Sequence, residues 1–238
     1  MIVNPELDLE RLASLYRENG YVFVKDFLQT DVAENLLRVL ASLEDWSLHI
    51  IGEQSDHTSR ELGEMSSEEI RALSPAPPSN YLNPNNSLGV YERYLILENI
   101  REGGCPKELA DYLEAVNSTQ YKDTLRKITA VDSEISISAD AGRYRSGHFL
   151  SAHTDTKAGE KSLKLVAHVL NLAKDWESSY GGELIFCNNW GQIEIREKPQ
   201  FNCLGLFRVP RRHYVQAVTD HAPFPRHSLY GWLLRRSS

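Results

Sequence analysis

Gly142-Arg143-Tyr144-Arg145-Ser146-Gly147-His148-Phe149-Leu150-Ser151-Ala152-His153-Thr154-Asp155 is the stretch on which the fold turns. It reads as a strand running into a loop that presents His153 and Asp155 two residues apart. Side chains at i and i+2 of an extended segment share one side, so an imidazole and a carboxylate converge. One histidine with one carboxylate is half of a divalent metal site. A second histidine completes a 2-His-1-carboxylate set, which suits iron(II) and leaves positions open on the metal. The pair alone says little, because the chain has 8 histidines and 33 acidic residues, enough for chance matches.

Around it the hydrophobic period changes. From residue 134 onward apolar residues alternate, giving strands at Glu134–Ser138, Gly142–Leu150, Lys164–Leu172, Glu183–Cys187, Gln192–Glu197, Asn202–Arg208, Tyr214–Thr219 and Arg226–Leu234. Gly-, Pro- and Asn-containing turns separate most of them, and no helical pattern intervenes. Short strands at such spacing argue for an all-β core, a jelly-roll or double-stranded β-helix, rather than a parallel sheet. Gly181-Gly182 marks a tight turn, since no helix follows it to bind phosphate.

The first half is helical. Leu7, Leu12, Leu15 and Tyr16 share a helix face closed by Gly20, and a strand is expected over Tyr21–Leu28. Thr30 is the expected N-cap of a second helix with Val32, Leu36, Leu37, Leu40 and Leu43 buried, and Trp46 belongs to the core. Residues 52–90 are rich in Ser, Asn and Pro, with one short helix at Ser67–Leu73; a segment of this kind is a mobile excursion or a lid. Two more helices follow, near Pro106–Val116 and Thr119–Ile128. Helices followed by strands predict an α+β arrangement in which the helices buttress one sheet of the roll. The expectation is a single domain over 1–238, with helical support over about 1–133 and the roll over about 134–236.

Composition narrows the functional classes. A hydrophobic fraction of 41% and a charged fraction of 25% are those of a soluble globular protein. There is no apolar run long enough for a membrane span, and Met1–Asp8 lacks the basic and apolar regions of a signal peptide. A net charge of -7 argues against nucleic-acid binding. Three cysteines without metal-type spacing fit a reducing cytoplasm.

Four histidines after Asp155 compete for the third metal position: His168, His213, His221 and His227. His168 lies in an apolar strand and reads as a buried core histidine. His221 sits in a polar turn, and His227 faces away from whatever Arg226 faces. His213 opens the seventh expected strand, which in a jelly-roll neighbours the second across the mouth, so it is the best partner for His153 and Asp155.

These motifs, in order, resemble the iron(II)/2-oxoglutarate-dependent oxygenases, specifically the branch of prolyl 3- and 4-hydroxylases. The resemblance rests on Tyr144-x-x-Gly147-x-Phe149-Leu150-x-x-His153-x-Asp155, then Val169-Leu170-Asn171, Trp176 and Gly181-Gly182-Glu183-Leu184. It continues through Asn202, Phe207, His213-x-Val215 and Arg226-x-Ser228-x-x-Gly231-Trp232. Its strong part spans residues 134–234. Two departures bear on the substrate: Val169 stands where the family often has Tyr, and His148 where it has an acid. The resemblance implies iron(II), 2-oxoglutarate and O2, with ascorbate as reductant, and hydroxylation of an unactivated C–H bond. It makes His153, Asp155 and His213 the catalytic metal ligands. Arg226 would clamp the distal carboxylate of 2-oxoglutarate, because a guanidinium fork matches a carboxylate. Tyr144, Ser228 and Asn171 are further candidates to bind the co-substrate. Asp155 favours hydroxylation over halogenation, since related halogenases carry a small residue there.

Two other classes fit parts of the pattern. A cupin-like metal enzyme without 2-oxoglutarate does not explain Arg226, and a non-catalytic sensor of the same fold does not explain an intact triad. The expected substrate is a prolyl residue, an amino acid, or a small peptide or natural product. Arg208, Arg211 and Arg212 crowd the approach to His213, either favouring an anionic substrate or forming a solvated rim.

Overall fold

A computed structural model describes residues 2–51, 55–58, 61–62, 64–82, 88–156, 163–188 and 190–236. Helix α1 (Leu9–Asn19) starts where the Asp8 side chain accepts the Arg11 amide hydrogen. It ends at Gly20, left-handed at φ 72°, whose N–H reaches the Tyr16 carbonyl. Strand β1 (Tyr21–Val24) is shorter than expected because the chain turns at Asp26, which adopts a positive φ of 50°. In α2 (Thr30–Ser42) Thr30 is the first helical residue rather than the cap. Gln29 holds the cap position and makes no side-chain cap bond.

The strands form one antiparallel sheet that curls on itself. Along the chain they are β2 (Ser47–Ile51), β3 (Ser55–His57), β4 (Gly89–Tyr94), β5 (Ile135–Ile137), β6 (Asp140–Tyr144), β7 (Phe149–His153), β8 (Lys164–Leu172), β9 (Leu184–Cys187), β10 (Ile193–Glu197), β11 (Phe201–Arg208), β12 (His213–Val215) and β13 (Arg226–Arg235). Their order is β1-β11-β8-β13-β6-β4-β7-β12-β9-β10, with β2 and β3 attached beside β4, and β5 beside β13. The curl is visible where Tyr21 and Phe23 of β1 meet Phe186 of β9 at ring separations of 5.3 and 6.0 Å, although those strands lie far apart in the order. This is the jelly-roll expected of the second half.

Alternation gives the sheet two apolar faces. Val166 and Leu170 of β8, Leu204 and Leu206 of β11, and Leu229 and Leu233 of β13 face outward. They share a core with Tyr16, Leu36 and Leu40, and with residues of α5 (Lys107–Val116) and α6 (Thr119–Thr129). Ala167, Phe207, Leu184 and Val215 face inward and line the mouth of the roll, with Phe186 packed among them. Asn202 ties the helical half to the sheet: its amide exchanges two hydrogen bonds with the Leu28 backbone, at 2.9 and 2.7 Å.

Three strands arise where none was expected. β2, β3 and β4 come from a stretch read as helical support or loop, as does α4 (Ile96–Glu102), while α3 covers Ser67–Leu73. β4 lies between β6 and β7 inside the sheet. The reason is electrostatic as well as apolar. Glu92 pairs across the strands with Arg143, which donates two hydrogen bonds to its carboxylate, and Arg145 adds two more. Burial pulls the Glu92 carboxyl up, but the two guanidinium groups outweigh it and hold its pKa below the usual range. The expected strand Gly142–Leu150 divides into β6 and β7 around Gly147, which turns at φ 81°, and Tyr214–Thr219 shrinks to His213–Val215. Parts of the expected lid, at 52–54, 59–60, 63 and 83–87, lie outside the described residues.

His168 faces the helices, fully buried, with its Nε2 2.6 Å from the Tyr121 hydroxyl. Burial pushes its pKa down to about 4, and that of buried His227 likewise to about 4. An unfolded histidine titrates near ~6.5. Between those values the unfolded chain holds protons that the native one does not. Their contribution is therefore whole above about pH 6.5, lost as pH falls toward about 4, and amounts to roughly 3 kcal/mol for each. Chemical denaturation between pH 4 and 7 is expected to show this slope. His168→Gln, which retains a polar partner for Tyr121, should reduce it by about 1.4 kcal/mol per pH unit. An unchanged slope in the variant would count against the burial argument.

Candidate metal centre

His153 closes β7 and His213 opens β12, and the two are paired across the strands. Their rings lie 4.3 Å apart, centroid to centroid. Asp155, two residues past His153, brings an Oδ1 to 3.8 Å from His153 Nε2. One ligand atom from each of the three residues lies within 4.8 Å of the others.

The backbone selects the tautomers. His153 Nδ1 is 2.9 Å from the Ser151 carbonyl and His213 Nδ1 is 2.8 Å from the Arg211 carbonyl. A carbonyl only accepts, so each Nδ1 carries the hydrogen and each Nε2 presents a lone pair. Burial and the nearby His213 push the His153 pKa down to about 4, which keeps it neutral at physiological pH. Asp155 Oδ2 is buried and meets no hydrogen-bond donor among the described residues. Two imidazoles that each turn Nε2 toward a carboxylate, the three converging on one point, suit a divalent cation.

A cavity of about 320 Å³ opens from this triad. Its walls are mostly apolar: Ile51, Leu150, Ala167, Val169, Leu184, Phe207 and Val215. At one end the inward face of β13 contributes Arg226 and Ser228. Arg226 is only 3% exposed. Its Nε and Nη2 donate to Asn171 Oδ1 at 3.2 and 2.9 Å, and its guanidinium carbon lies 5.3 Å from the centre of the Tyr144 ring. Nη1 is buried without an acceptor, and among the described residues no carboxylate pairs with the guanidinium. Burial lowers its pKa from the usual guanidinium value, yet such a group stays charged at neutral pH. A buried, charged and incompletely bonded fork is an arrangement suited to an anionic ligand.

The other expected co-substrate residues occupy distinct positions. Asn171 supports Arg226 directly. Tyr144 lines the cavity, lies stacked on Tyr91 at 5.1 Å and 2°, and keeps its hydroxyl proton because burial raises its pKa far above the ordinary value. Ser228 sits opposite Gly142 and Asn171. Tyr91, Tyr230 and Trp232 also line the cavity, and sequence reasoning missed them. Two of these were available from the alternation Arg226, Ser228, Tyr230, Trp232 along one strand; Tyr91 was hidden by the polar appearance of Glu92-Arg93. His168 and His227 stand on the outer face, and His221 is exposed.

The arginines expected to crowd His213 are engaged elsewhere. Arg211 lies over the rings of Tyr21 and Phe186 and pairs with Glu194, while Arg212 donates to the Leu82 carbonyl. Arg208 is exposed, and none of the three lines the cavity.

A family profile described as the 2OG-Fe(II) oxygenase superfamily matches residues 139–234. No curated protein sequence matches the chain at a significant level. Among solved structures, a prolyl-4-hydroxylase from Pseudomonas putida superposes with a TM-score of 0.60 at 18% identity, covering 96% of this chain and 100% of that one. A Trichoplax adhaerens prolyl hydroxylase, solved with a peptide of the hypoxia inducible factor oxygen degradation domain, gives 0.61 at 16% identity, covering 95% and 90%. SnoN, a non-heme alpha-ketoglutarate-dependent epimerase from nogalamycin biosynthesis, gives 0.57 at 12%, covering 95% and 82%. At these identities the likeness is one of fold.

Proposed function

We propose that this chain, whose residues 139–234 match the profile of the 2OG-Fe(II) oxygenase superfamily, is a 2-oxoglutarate-dependent dioxygenase that hydroxylates an unactivated C–H bond of a prolyl residue, an amino acid, or a small peptide or natural product. His153, Asp155 and His213 hold the iron(II). Arg226 takes the distal carboxylate of 2-oxoglutarate, with Asn171 fixing the guanidinium and the Tyr144 and Ser228 hydroxyls beside it. Iron(II) with 2-oxoglutarate and O2 supplies the chemistry that converts C–H to C–OH, with succinate and carbon dioxide as the other products; ascorbate serves as reductant.

The observation that carries this reading is Arg226: a cation 3% exposed, with a buried unbonded Nη1, on the wall of the cavity that also holds the triad. A cupin-like enzyme without a dicarboxylate co-substrate leaves that arrangement without a purpose. The protein's own groups bind and orient. The carbonyls of Ser151 and Arg211 hold the imidazoles in the ligating tautomer, the Tyr144–Tyr91 stack closes one wall, and Ile51, Leu150, Val169 and Val215 keep the cavity apolar. Asp155, a carboxylate where the related halogenases carry a small residue, would favour hydroxylation over halogenation.

Succinate formation tests the proposal. Metal-stripped protein is expected to form none, and iron(II), 2-oxoglutarate and ascorbate added together to restore it, with the rate rising when a substrate is present. If 2-oxoglutarate neither binds the metal-loaded protein nor is consumed by it, the proposal is wrong.

A further inference from the structure

β4 is wedged into the sheet between β6 and β7, pairing its second half with the one and its first half with the other. Glu92 faces Arg143 in the β4–β6 ladder; in the β6–β13 ladder Arg143 faces His227 and Tyr144 faces Arg226. One step further along the β4–β6 register puts Tyr91 opposite Tyr144. Two parallel rows therefore cross the three neighbouring strands. Glu92, Arg143 and His227 form the outward row. Tyr91, Tyr144 and Arg226 form the inward row, and all three line the cavity. Successive residues of a strand alternate sides, so each row fixes the other. The Glu92 carboxylate, gripped by Arg143 and Arg145, thus decides which side chain of β4 meets Tyr144. A slip of one residue would turn Glu92 toward the cavity and Tyr91 away from it.

The inward row is in contact along its length. The Tyr91 and Tyr144 rings lie 5.1 Å apart and 2° from parallel. That separation exceeds the ~3.5–4 Å of directly touching atoms, so the rings are offset-stacked, a favoured arrangement. The Arg226 guanidinium carbon is 5.3 Å from the centre of the Tyr144 ring, within reach of a cation–π contact. Tyr144 lies between its two neighbours because β6 lies between β4 and β13. On the far side of Arg226, Asn171 of β8 takes Nε and Nη2. Asn171 and Tyr144 together set the plane of the guanidinium, and Nη1 is the donor left over. Tyr144 gives that support only while its own ring is kept from turning, and the Tyr91 ring packed on it blocks the turn. Tyr91 is itself flanked by His49, at 5.3 Å and 79°, and by Tyr230, at 6.3 Å and 75°.

We infer that Tyr91 is a positioning residue for co-substrate binding. Its ring holds Tyr144 against Arg226, so that Nη1 meets the carboxylate already oriented. The gain is one of conformational entropy, since an arginine fixed in advance loses less freedom when the ligand arrives. The inference rests on the reading of Arg226 given above, and extends the clamp to a residue that acts without touching the co-substrate.

The test uses full-length protein loaded with zinc(II), so that nothing turns over, and reads 2-oxoglutarate affinity by calorimetry. Tyr91→Leu is expected to weaken that affinity ~3- to 10-fold, the range for one aromatic pair, with zinc affinity within about threefold of wild type. Tyr91→Phe keeps the ring and should bind 2-oxoglutarate within about twofold of wild type. Tyr144→Leu should lose at least as much as Tyr91→Leu. Adding Tyr91→Leu to it should cost less than about a further twofold, since a residue that acts through Tyr144 has nothing to hold once Tyr144 is gone. An unaffected Tyr91→Leu overturns the inference. So does an equal loss in Tyr91→Phe, which makes the hydroxyl the working group. A full additional loss on top of Tyr144→Leu overturns it as well, because Tyr91 is then a co-substrate ligand in its own right. Loss of zinc together with 2-oxoglutarate in Tyr91→Leu does the same, since the whole cavity has then shifted. Should Tyr91→Leu not fold, Tyr91→Ile, whose branched side chain suits a strand, carries the same expectations. Failure of the zinc-loaded wild type to bind 2-oxoglutarate removes the reading of Arg226 and this inference with it. Normal binding in wild type with an indifferent Tyr91→Leu removes this inference alone.

Discussion

His213→Ala is expected to abolish turnover and to weaken metal binding by more than ~100-fold, while leaving the protein folded. Loss of an outer partner to a ligand already costs about 10- to 100-fold in metal affinity, and His213 is proposed as a direct ligand. The fold should survive because His213 faces the cavity, and its short strand is held by backbone pairing to β7 and β9. His153→Ala and Asp155→Ala should behave alike, since each leaves two donors where three converge within 4.8 Å. His168→Gln is the control: it changes a buried histidine on the outer face and should keep its metal. Calorimetric titration with zinc(II) reads affinity, thermal melting reads the fold, and succinate release reads turnover. Wild-type-like turnover and metal affinity in His213→Ala would show that another residue is the third ligand.

The elements and groups that could be read from sequence were those governed by local rules. His153 and Asp155 converge because residues two apart in extended chain share a side. His213 follows from jelly-roll adjacency, and the structure places it across from His153 in the ladder. The helices whose apolar stripes repeat cleanly, α2, α5 and α6, lie where periodicity puts them. What could not be read depended on non-local pairing. β4 looks polar through Glu92 and Arg93, and only the partners Arg143 and Arg145 across the sheet make Glu92 a buried residue. Its neighbour Tyr91 reaches the cavity as a consequence. The reverse error concerned Arg211 and Arg212. Nearness to His213 along the chain suggested nearness in space, but stacking on Tyr21 and Phe186, and the Leu82 carbonyl, draw them away from the cavity.

Arg226→Ala is expected to weaken 2-oxoglutarate binding by roughly 10- to 1000-fold, with metal affinity nearly unchanged. A charge-assisted hydrogen bond contributes about 1.5–3 kcal/mol, and about 1.4 kcal/mol corresponds to a decade, so the upper end applies if the fork engages the carboxylate twice. The geometry leaves Nη1 for that purpose, because Asn171 already takes Nε and Nη2. Arg226→Lys should recover only part of the loss, since an ammonium restores the charge but not the fork. Asn171→Ala separates clamp from support. It should cost less than Arg226→Ala, and in the double variant it should add almost nothing, since a residue that acts by holding Arg226 has no effect once Arg226 is gone. Full additivity of the two would make Asn171 an independent ligand of the co-substrate. A large co-substrate defect in Arg211→Ala or Arg212→Ala, with none in Arg226→Ala, would move the carboxylate pocket off β13 altogether. Neither outcome would touch the triad, whose two histidines are brought together by the pairing of β7 with β12.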